Sequence, residues 1–246
     1  ANGREYWIHD FAFTYSEGLS LNIQELNDTF QDAFIHIVGG DAENDAFNRL
    51  VLTAGLPWRD VALLRAYARY LKQIRLGFDL GYIASTLNNH TDIARELTRL
   101  FKTRFYLARK LTQDDLEDKQ QRLEQAILNA LDEVQVLNED RILRRYLDLI
   151  KATLRTNFYQ PDALGEVKSY FSFKFNPSAI PELPRPVPKF EIFVYSPRVE
   201  GVHLRFGNVA RGGLRWSDRE EDFRTEVLGL VKAQQVKNAV IVPVGA

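Results

Sequence analysis

The chain has 246 residues, 45% of them hydrophobic, enough to bury a substantial core in one or two domains. Its 32 basic and 33 acidic residues balance, which argues against a nucleic-acid binder, and the absence of cysteine excludes disulfide scaffolds and thiolate metal sites. No run of about 18 apolar residues is present, and the opening ANGREYWIHDF has neither the basic nor the apolar part of a secretory signal, so a cytoplasmic chain without a membrane span is expected. The Asn-x-Thr triplets at Asn27 and Asn89 are short enough to arise by chance. With no methionine, even at position 1, and a start that already reads as a strand, the sequence is expected to be a piece of something longer.

Residues 5–15, EYWIHDFAFTY, are rich in aromatic and β-branched residues and predict a strand. From about residue 21 to 160 the periodicity is helical. LNIQELNDTFQDAFIHIV sets Leu26, Phe30, Phe34 and Ile37 on one face and stops at Gly39-Gly40. The stretch 56–77 opens with Pro57, allowed in a first helical turn, and is predicted to end at Gly77. HTDIARELTRLF offers Thr91 as an N-cap. Over 112–136 the stripe is Leu116, Leu123, Ile127, Leu131 and Val134, and over 139–156 it is Ile142, Leu143, Tyr146, Leu147 and Ile150. Such stripes are core and helix–helix contacts before they are anything else.

SYFSFKF then alternates Phe171, Phe173 and Phe175 with Ser172 and Lys174, a half-buried strand. Pro177, Pro181, Pro184, Pro186 and Pro188 follow, predicting an extended connector at a boundary between subdomains. FEIFVY and VHLRF are strands, Gly207-Asn208 is a hairpin-turn candidate, and VARGGLRW is a further strand. Ser217 and Glu220 form an S-x-x-E capping box for a helix from about 218 to 238, and AVIVPVGA is a last apolar strand. The fold class expected is α+β, mainly α: a helical block followed by the strand-rich start of an α/β substrate-binding domain.

Dinucleotide, P-loop, nucleophile-elbow and zincin motifs are absent, and His9, His36, His90 and His203 are scattered, so a metal site is not expected. Two features carry chemistry. Arg211 and Arg215 are four apart, on one side of an extended strand, and Gly212-Gly213 between them lets a ligand approach the backbone. The same residues also fit a bulge whose arginines pair with Glu220-Glu221-Asp222. On the following helix, at about 100° per residue, Phe223, Val227, Leu230, Gln234 and Lys237 fall within about 40° of one line. An amide and an ammonium on an apolar stripe are costly to bury without partners; alternatively Lys237 reaches solvent or answers the helix dipole.

The stretch EIFVYSPRVEGVHLRFGNVARGGLRWSDREEDFRTEVLGLVKAQQVKNAVIVPVGA closely resembles the start of the catalytic region of the large, NAD-specific glutamate dehydrogenases. AENDAFNRLVLTAGLPWRDVALLRAYARYLKQI and LNEDRILRRYLDLIKATLRTNFYQ resemble the helical region before it, and the likeness is weakest over roughly 106–136. The resemblance implies oxidation of L-glutamate with NAD to 2-oxoglutarate and ammonium. It implies that Arg211-Gly212-Gly213 stands where the family has lysine and two glycines holding the substrate side-chain carboxylate; arginine keeps the charge and changes the donor geometry. Gln234 and Lys237 match the pair that holds the α-carboxylate, with Arg215 in support beside them.

By the same resemblance the catalytic lysine lies just after Ala246, and NAD is bound by a domain outside this sequence. The implied organisation is the end of a preceding regulatory-type α/β module over 1–20, a helical domain over 21–160, a strand and Pro-rich connector over 161–188, and the start of the substrate-binding domain over 189–246. Homo-oligomerisation of the full-length protein is expected, with no nucleic-acid or membrane partner. The rival readings are a non-catalytic helical assembly or regulatory module and a dehydrogenase of another amino acid; an exposed apolar stripe on the 112–156 helices, with Lys237 in bulk solvent, would favour the module.

Overall fold

The computed structural model describes residues 23–106, 112–208 and 215–237, with side chains over 27–106, 112–208 and 215–232. The strands predicted over 5–15, around 209–214 and over 239–246 lie outside the described residues, as does the Arg211-Gly212-Gly213 motif. Within them the fold is α+β and mainly α, as expected. The helices are α1 (Ile23–Val38), α2 (Leu50–Thr53), α3 (Trp58–Gln73), α4 (Leu80–Asn89), α5 (Thr91–Phe105), α6 (Gln113–Asp132), α7 (Leu137–Ala152) and α8 (Phe223–Lys237). The strands are β1 (Thr153–Thr156), β2 (Phe171–Phe175), β3 (Phe190–Tyr195) and β4 (Glu200–Arg205), antiparallel neighbours in chain order.

The organising element is α3, buried almost all round. It lies between the helical block and the sheet, and the polar side chains it buries have partners, Arg65 with Asp45 and Gln73 with the start of α8. Its Tyr67 ring packs on Phe173 at 4.9 Å, and Tyr70 stacks on Phe175 at 4.5 Å and meets Phe193 at 5.3 Å. The Phe171, Phe173, Phe175 alternation thus turns one face of β2 onto α3, as its period of two requires. Three buried hydroxyls are answered: Tyr146 donates to the Leu64 carbonyl at 3.0 Å, and Thr153, which donates to the Leu149 carbonyl, accepts from Tyr67 at 2.8 Å. One apolar cluster runs from Ala33 through α3, α5 and α7 to Phe193 and Tyr195.

Several helix ends differ from expectation. α1 closes as predicted in a Schellman motif, with Gly40 at φ +79° and Asp41 N–H donating to the His36 carbonyl. Its expected face is only partly covered: Ala33 is buried, Phe30 and Ile37 are half-buried, and Phe34 is exposed. α3 stops before Gly77: Leu76 N–H reaches back to the Leu71 carbonyl, and Arg75, at φ +63°, takes the left-handed position that glycine usually fills. Thr91 is the first residue of α5, not its cap; His90 is the cap and uses no side chain. α6 has a complete capping box, Thr112 with Asp115, and the stripes of α6 and α7 meet the core through Ile127, Leu131, Ile142, Tyr146 and Ile150.

The proline-rich stretch joins neighbouring strands of one sheet. β2 and β3 pair in unbroken register from Phe171–Tyr195 to Phe175–Glu191, and the stretch between them is packed down through buried Ile180 and Leu183. Arg145 from α7 fastens it by donating to the Pro181 carbonyl at 2.6 Å and pairing with Glu182 at 2.9 Å. Contacts therefore cross the connector where its composition predicted a boundary.

Candidate functional site

Of the residues singled out above, the described structure carries Arg215 with its side chain, and positions 234 and 237 as backbone in the last turns of α8. Three residues apart on a helix, those two positions share a face. Arg215 precedes the helix and its Nε donates to Glu226 Oε1 at 2.7 Å, while Ser217 donates to the other oxygen of the same carboxylate at 2.6 Å. These donors hold the Glu226 carboxyl below its ordinary range, the Ser217 hydroxyl first and Arg215 next. Ser217 is therefore not a capping-box partner of Glu220. It belongs to a turn, and the helix begins at Phe223, five residues later than the motif predicted.

The acidic run is also engaged elsewhere than the bulge reading placed it. Glu221 pairs with Lys72 at 3.0 Å and Asp222 lies 3.6 Å from Arg75, both cations belonging to the end of α3. Asp222 is further held by Arg219 at 2.7 Å. So the segment entering α8 is tied to the C-terminal end of α3, where carbonyl groups also favour cations.

The seat of α8 is its most specific feature. Arg224 and Glu191 of β3 form a bidentate pair, Nε to Oε1 at 2.6 Å and Nη2 to Oε2 at 2.7 Å, with Arg224 1% and Glu191 0% exposed. Burial opposes the Arg224 charge, but the Glu191 hydrogen bonds and charge outweigh it and raise its pKa. The Tyr70 hydroxyl sits against the pair, and burial, with the Glu191 charge beside it, pushes this phenol well above its usual value. From α3, the buried Gln73 accepts from the Arg224 N–H at 3.1 Å and donates to the Glu220 carbonyl at 2.9 Å. A helix leaves its first N–H groups without intrahelical partners, so α3 supplies from outside what a cap residue would supply from within.

The helix therefore has a different phase from the one its apolar residues suggest. Arg224, Leu228 and Val231 are buried, whereas Phe223, Val227 and Leu230 are half-buried. The buried line lies about 100° round from the expected stripe, because an arginine with a carboxylate waiting for it occupies the innermost position. Helical spacing continues the half-covered line towards positions 234 and 237, and Lys232, on the opposite side from Phe223, is exposed. Arg224, Glu191 and Gln73 were missed from sequence. A signal did exist for Glu191, which shares its strand parity with Phe193 and Tyr195 and so had to face inward with a partner.

Between α3, β4 and the segment entering α8 is a cleft of about 120 Å³ lined by Arg69, Lys72, Gln73, Leu80, Glu200, Glu220 and Glu221. Burial lifts the Glu200 carboxyl to about 7, with Glu43 and Glu220 adding to the rise and Arg69 and Lys72 opposing it. Three carboxylates on such a rim disfavour a dianionic ligand there. Among the described residues no group of three or more His, Cys, Asp or Glu side chains could hold a metal, and no helix is long and apolar enough to cross a membrane. His36 pairs with Asp41 at 3.0 Å and His90 with Glu139 at 2.8 Å, both structural contacts. The α7 stripe is buried in this chain's own core, and that of α6 is buried at Ile127 and Leu131 and half-buried at Leu116, Leu123 and Val134, so neither is the exposed stripe that the assembly-module reading called for.

Fold and seat together define an α+β unit in which a helical block and a four-stranded sheet share one core and fix a further helix by a buried ion pair. The family model for the catalytic domain of bacterial NAD-glutamate dehydrogenase matches residues 126–246, and that for glutamate dehydrogenase helical motif 3 matches residues 42–107. A Pseudomonas aeruginosa protein named NAD-specific glutamate dehydrogenase is 89% identical over 245 residues, covering all of this chain and 15% of that relative. Proteins of the same name from Halomonas elongata and Mycobacterium tuberculosis are 59% and 47% identical, this chain again spanning 15% of each. The chain belongs to the bacterial NAD-glutamate dehydrogenase family.

Proposed function

We propose that this chain is part of an enzyme that oxidises L-glutamate to 2-oxoglutarate and ammonium with NAD, and that it supplies the substrate-side wall. The observation that carries this reading is the placement of α8: one line of the helix is locked to α3 and β3 by Arg224, and a second, half-covered line leads by helical spacing to Gln234 and Lys237. A rigidly held helix is what a two-carboxylate substrate needs if its α-carbon is to be fixed. In this reading Lys237 and Gln234 hold the α-carboxylate and Arg211 with Gly212-Gly213 holds the side-chain carboxylate. Arg215 supports the turn through Glu226.

The described residues do not fit NAD. No described strand-to-helix turn offers a row of glycine N–H groups to a pyrophosphate, and the cleft beside α8 is rimmed by carboxylates. The proposal therefore assigns the dinucleotide to a part of the enzyme other than this chain. The functional division proposed is the one expected from sequence, with a helical domain to 160, a connector to 188 and a substrate-binding part from 189, all on one shared core. We place the enzyme in amino-acid catabolism in the cytoplasm, as a homo-oligomer with neither nucleic acid nor membrane as partner; the balanced charge supports the last point.

The test is substitution in the whole enzyme. Lys237→Ala removes a charge-assisted contact worth about 1.5–3 kcal/mol, a roughly 10- to 150-fold loss in kcat/KM for glutamate with NAD affinity unchanged. Arg211→Ala should fall similarly for glutamate, with a smaller loss for norvaline, which lacks the side-chain carboxylate. Lys232→Ala, at an exposed position, is the control and should be neutral. Equally mild effects at Lys232 and Lys237 would refute the assignment.

A further inference from the structure

We infer that Arg224, Glu191 and Gln73 are positioning residues that set the axial register and rotation of α8, and through it the placement of the substrate-binding residues at its far end. The inference rests on the reading of Gln234 and Lys237 given above. It starts from an anomaly: the innermost contact of this helix is a bidentate ion pair with both partners almost fully buried, at a place where leucine would pack. A buried pair is weak evidence for stability, since apolar residues of similar volume usually serve as well; its attested use is to fix one arrangement against near alternatives.

Here the near alternatives are slides and rotations of α8. Apolar contacts are non-directional, so the half-buried line Phe223, Val227 and Leu230 could take the seat of Arg224, Leu228 and Val231 after a one-residue shift, about 1.5 Å along the axis and 100° around it. Arg224 opposes this, because such a shift leaves Glu191 buried without its cation. Gln73 adds a second, independent stop. It holds the Arg224 N–H and the Glu220 carbonyl together, so the first turn of the helix and the segment before it are pinned to α3 at one point. From Arg224 the rigid rod runs about 15 Å to residue 234 and about 20 Å to residue 237. Over that length a small rotation at the seat carries an ammonium away from a carboxylate.

A volume-matched double variant, Arg224→Met with Glu191→Leu, tests this in the whole enzyme, because it removes the register device while keeping the seat apolar and filled. The melting temperature should stay near that of the parent and NAD KM should be unchanged. Glutamate kcat/KM should fall roughly 10- to 100-fold, as expected for misplacement on the ångström scale, and hydrogen exchange in 223–237 should rise. A merely structural pair predicts the opposite, with a stable double variant that handles glutamate normally, and that result overturns the inference. A parallel rise in the KM values for NAD and glutamate overturns it too. Should the double variant not fold, Gln73→Ala decides, since it strands no buried charge: a raised glutamate KM supports the inference and an unchanged one overturns it. Lys237→Ala is measured alongside. If it loses glutamate while the seat variants do not, the register inference alone falls; if it leaves glutamate untouched, the substrate reading falls and takes the inference with it.

Discussion

Replacing Glu200 by glutamine should stabilise the chain increasingly as pH rises. Glu200 opens β4, with its side chain 16% exposed and Arg69 Nε 3.3 Å away. Glu43 and Glu220 crowd it from the far side of Arg69 and from the segment entering α8, and burial with these two charges carries its carboxyl to about 7. The folded chain therefore binds this proton more tightly than the unfolded chain does. The resulting stability is fully present below the ordinary glutamate value and is lost as pH rises from there through about 7. Taking about 1.4 kcal/mol per pH unit, the ionised carboxylate costs at most about 3 kcal/mol at pH 8 and under about 1 kcal/mol at pH 5. Glutamine, neutral throughout and nearly the same shape, never incurs that cost.

Urea titrations of wild type and Glu200→Gln at pH 5, 6, 7 and 8 should show the variant's advantage growing by about 2 kcal/mol across the series at constant m value. An advantage independent of pH would mean that the carboxyl titrates at its ordinary value. A variant less stable than wild type at pH 8 would mean that the contact with Arg69 outweighs the burial and the neighbouring carboxylates, and the electrostatic account of this cleft would be wrong.

Two further substitutions test the packing around α3. Phe173→Ala, at a ring fully buried among Tyr67, Phe101, Phe171 and Phe175, should cost about 3–5 kcal/mol in the same urea assay, and a loss below about 1 kcal/mol would show that the sheet does not pack on α3 as described. Arg75→Gly should be more stable than Arg75→Ala by about 0.5–1 kcal/mol, because both lose the contact with Asp222 and only alanine keeps the left-handed strain; equal stabilities would deny the strain.

The helical block was legible wherever apolar residues alone decide the packing. Ile127 and Leu131, or Ile142, Tyr146 and Ile150, are buried in the phase their spacing predicts. Alternation likewise placed Phe171, Phe173 and Phe175 on one face. Ends were less legible, for physical reasons that differ from case to case. α3 ends at Gln73 and not Gly77 because the chain closes earlier, with the Leu76 N–H bonded to the Leu71 carbonyl and Arg75 in the left-handed position between. Ser217 matched a capping motif, but its hydroxyl found a stronger acceptor in Glu226, nine residues on. The proline-rich stretch read as a boundary because composition does not report pairing, and β2 and β3 meet across it.

The phase of α8 shows why the site itself was harder to read than the fold around it. Periodicity arguments count apolar residues and treat charged ones as surface, which is right for most charges among the described residues, though not for Asp60, Arg65, Arg145 or Glu191. It fails at Arg224, because the partner that makes burial tolerable lies 33 residues away on another element. The same separation explains what the pair can do that leucine could not. An apolar seat lowers the energy of every well-packed arrangement alike, whereas a bidentate pair lowers the energy of one. A helix required only for stability has no use for that distinction. A helix that must hold one register does, and in the reading proposed above α8 is such a helix, because Gln234 and Lys237 would have to meet one carboxylate.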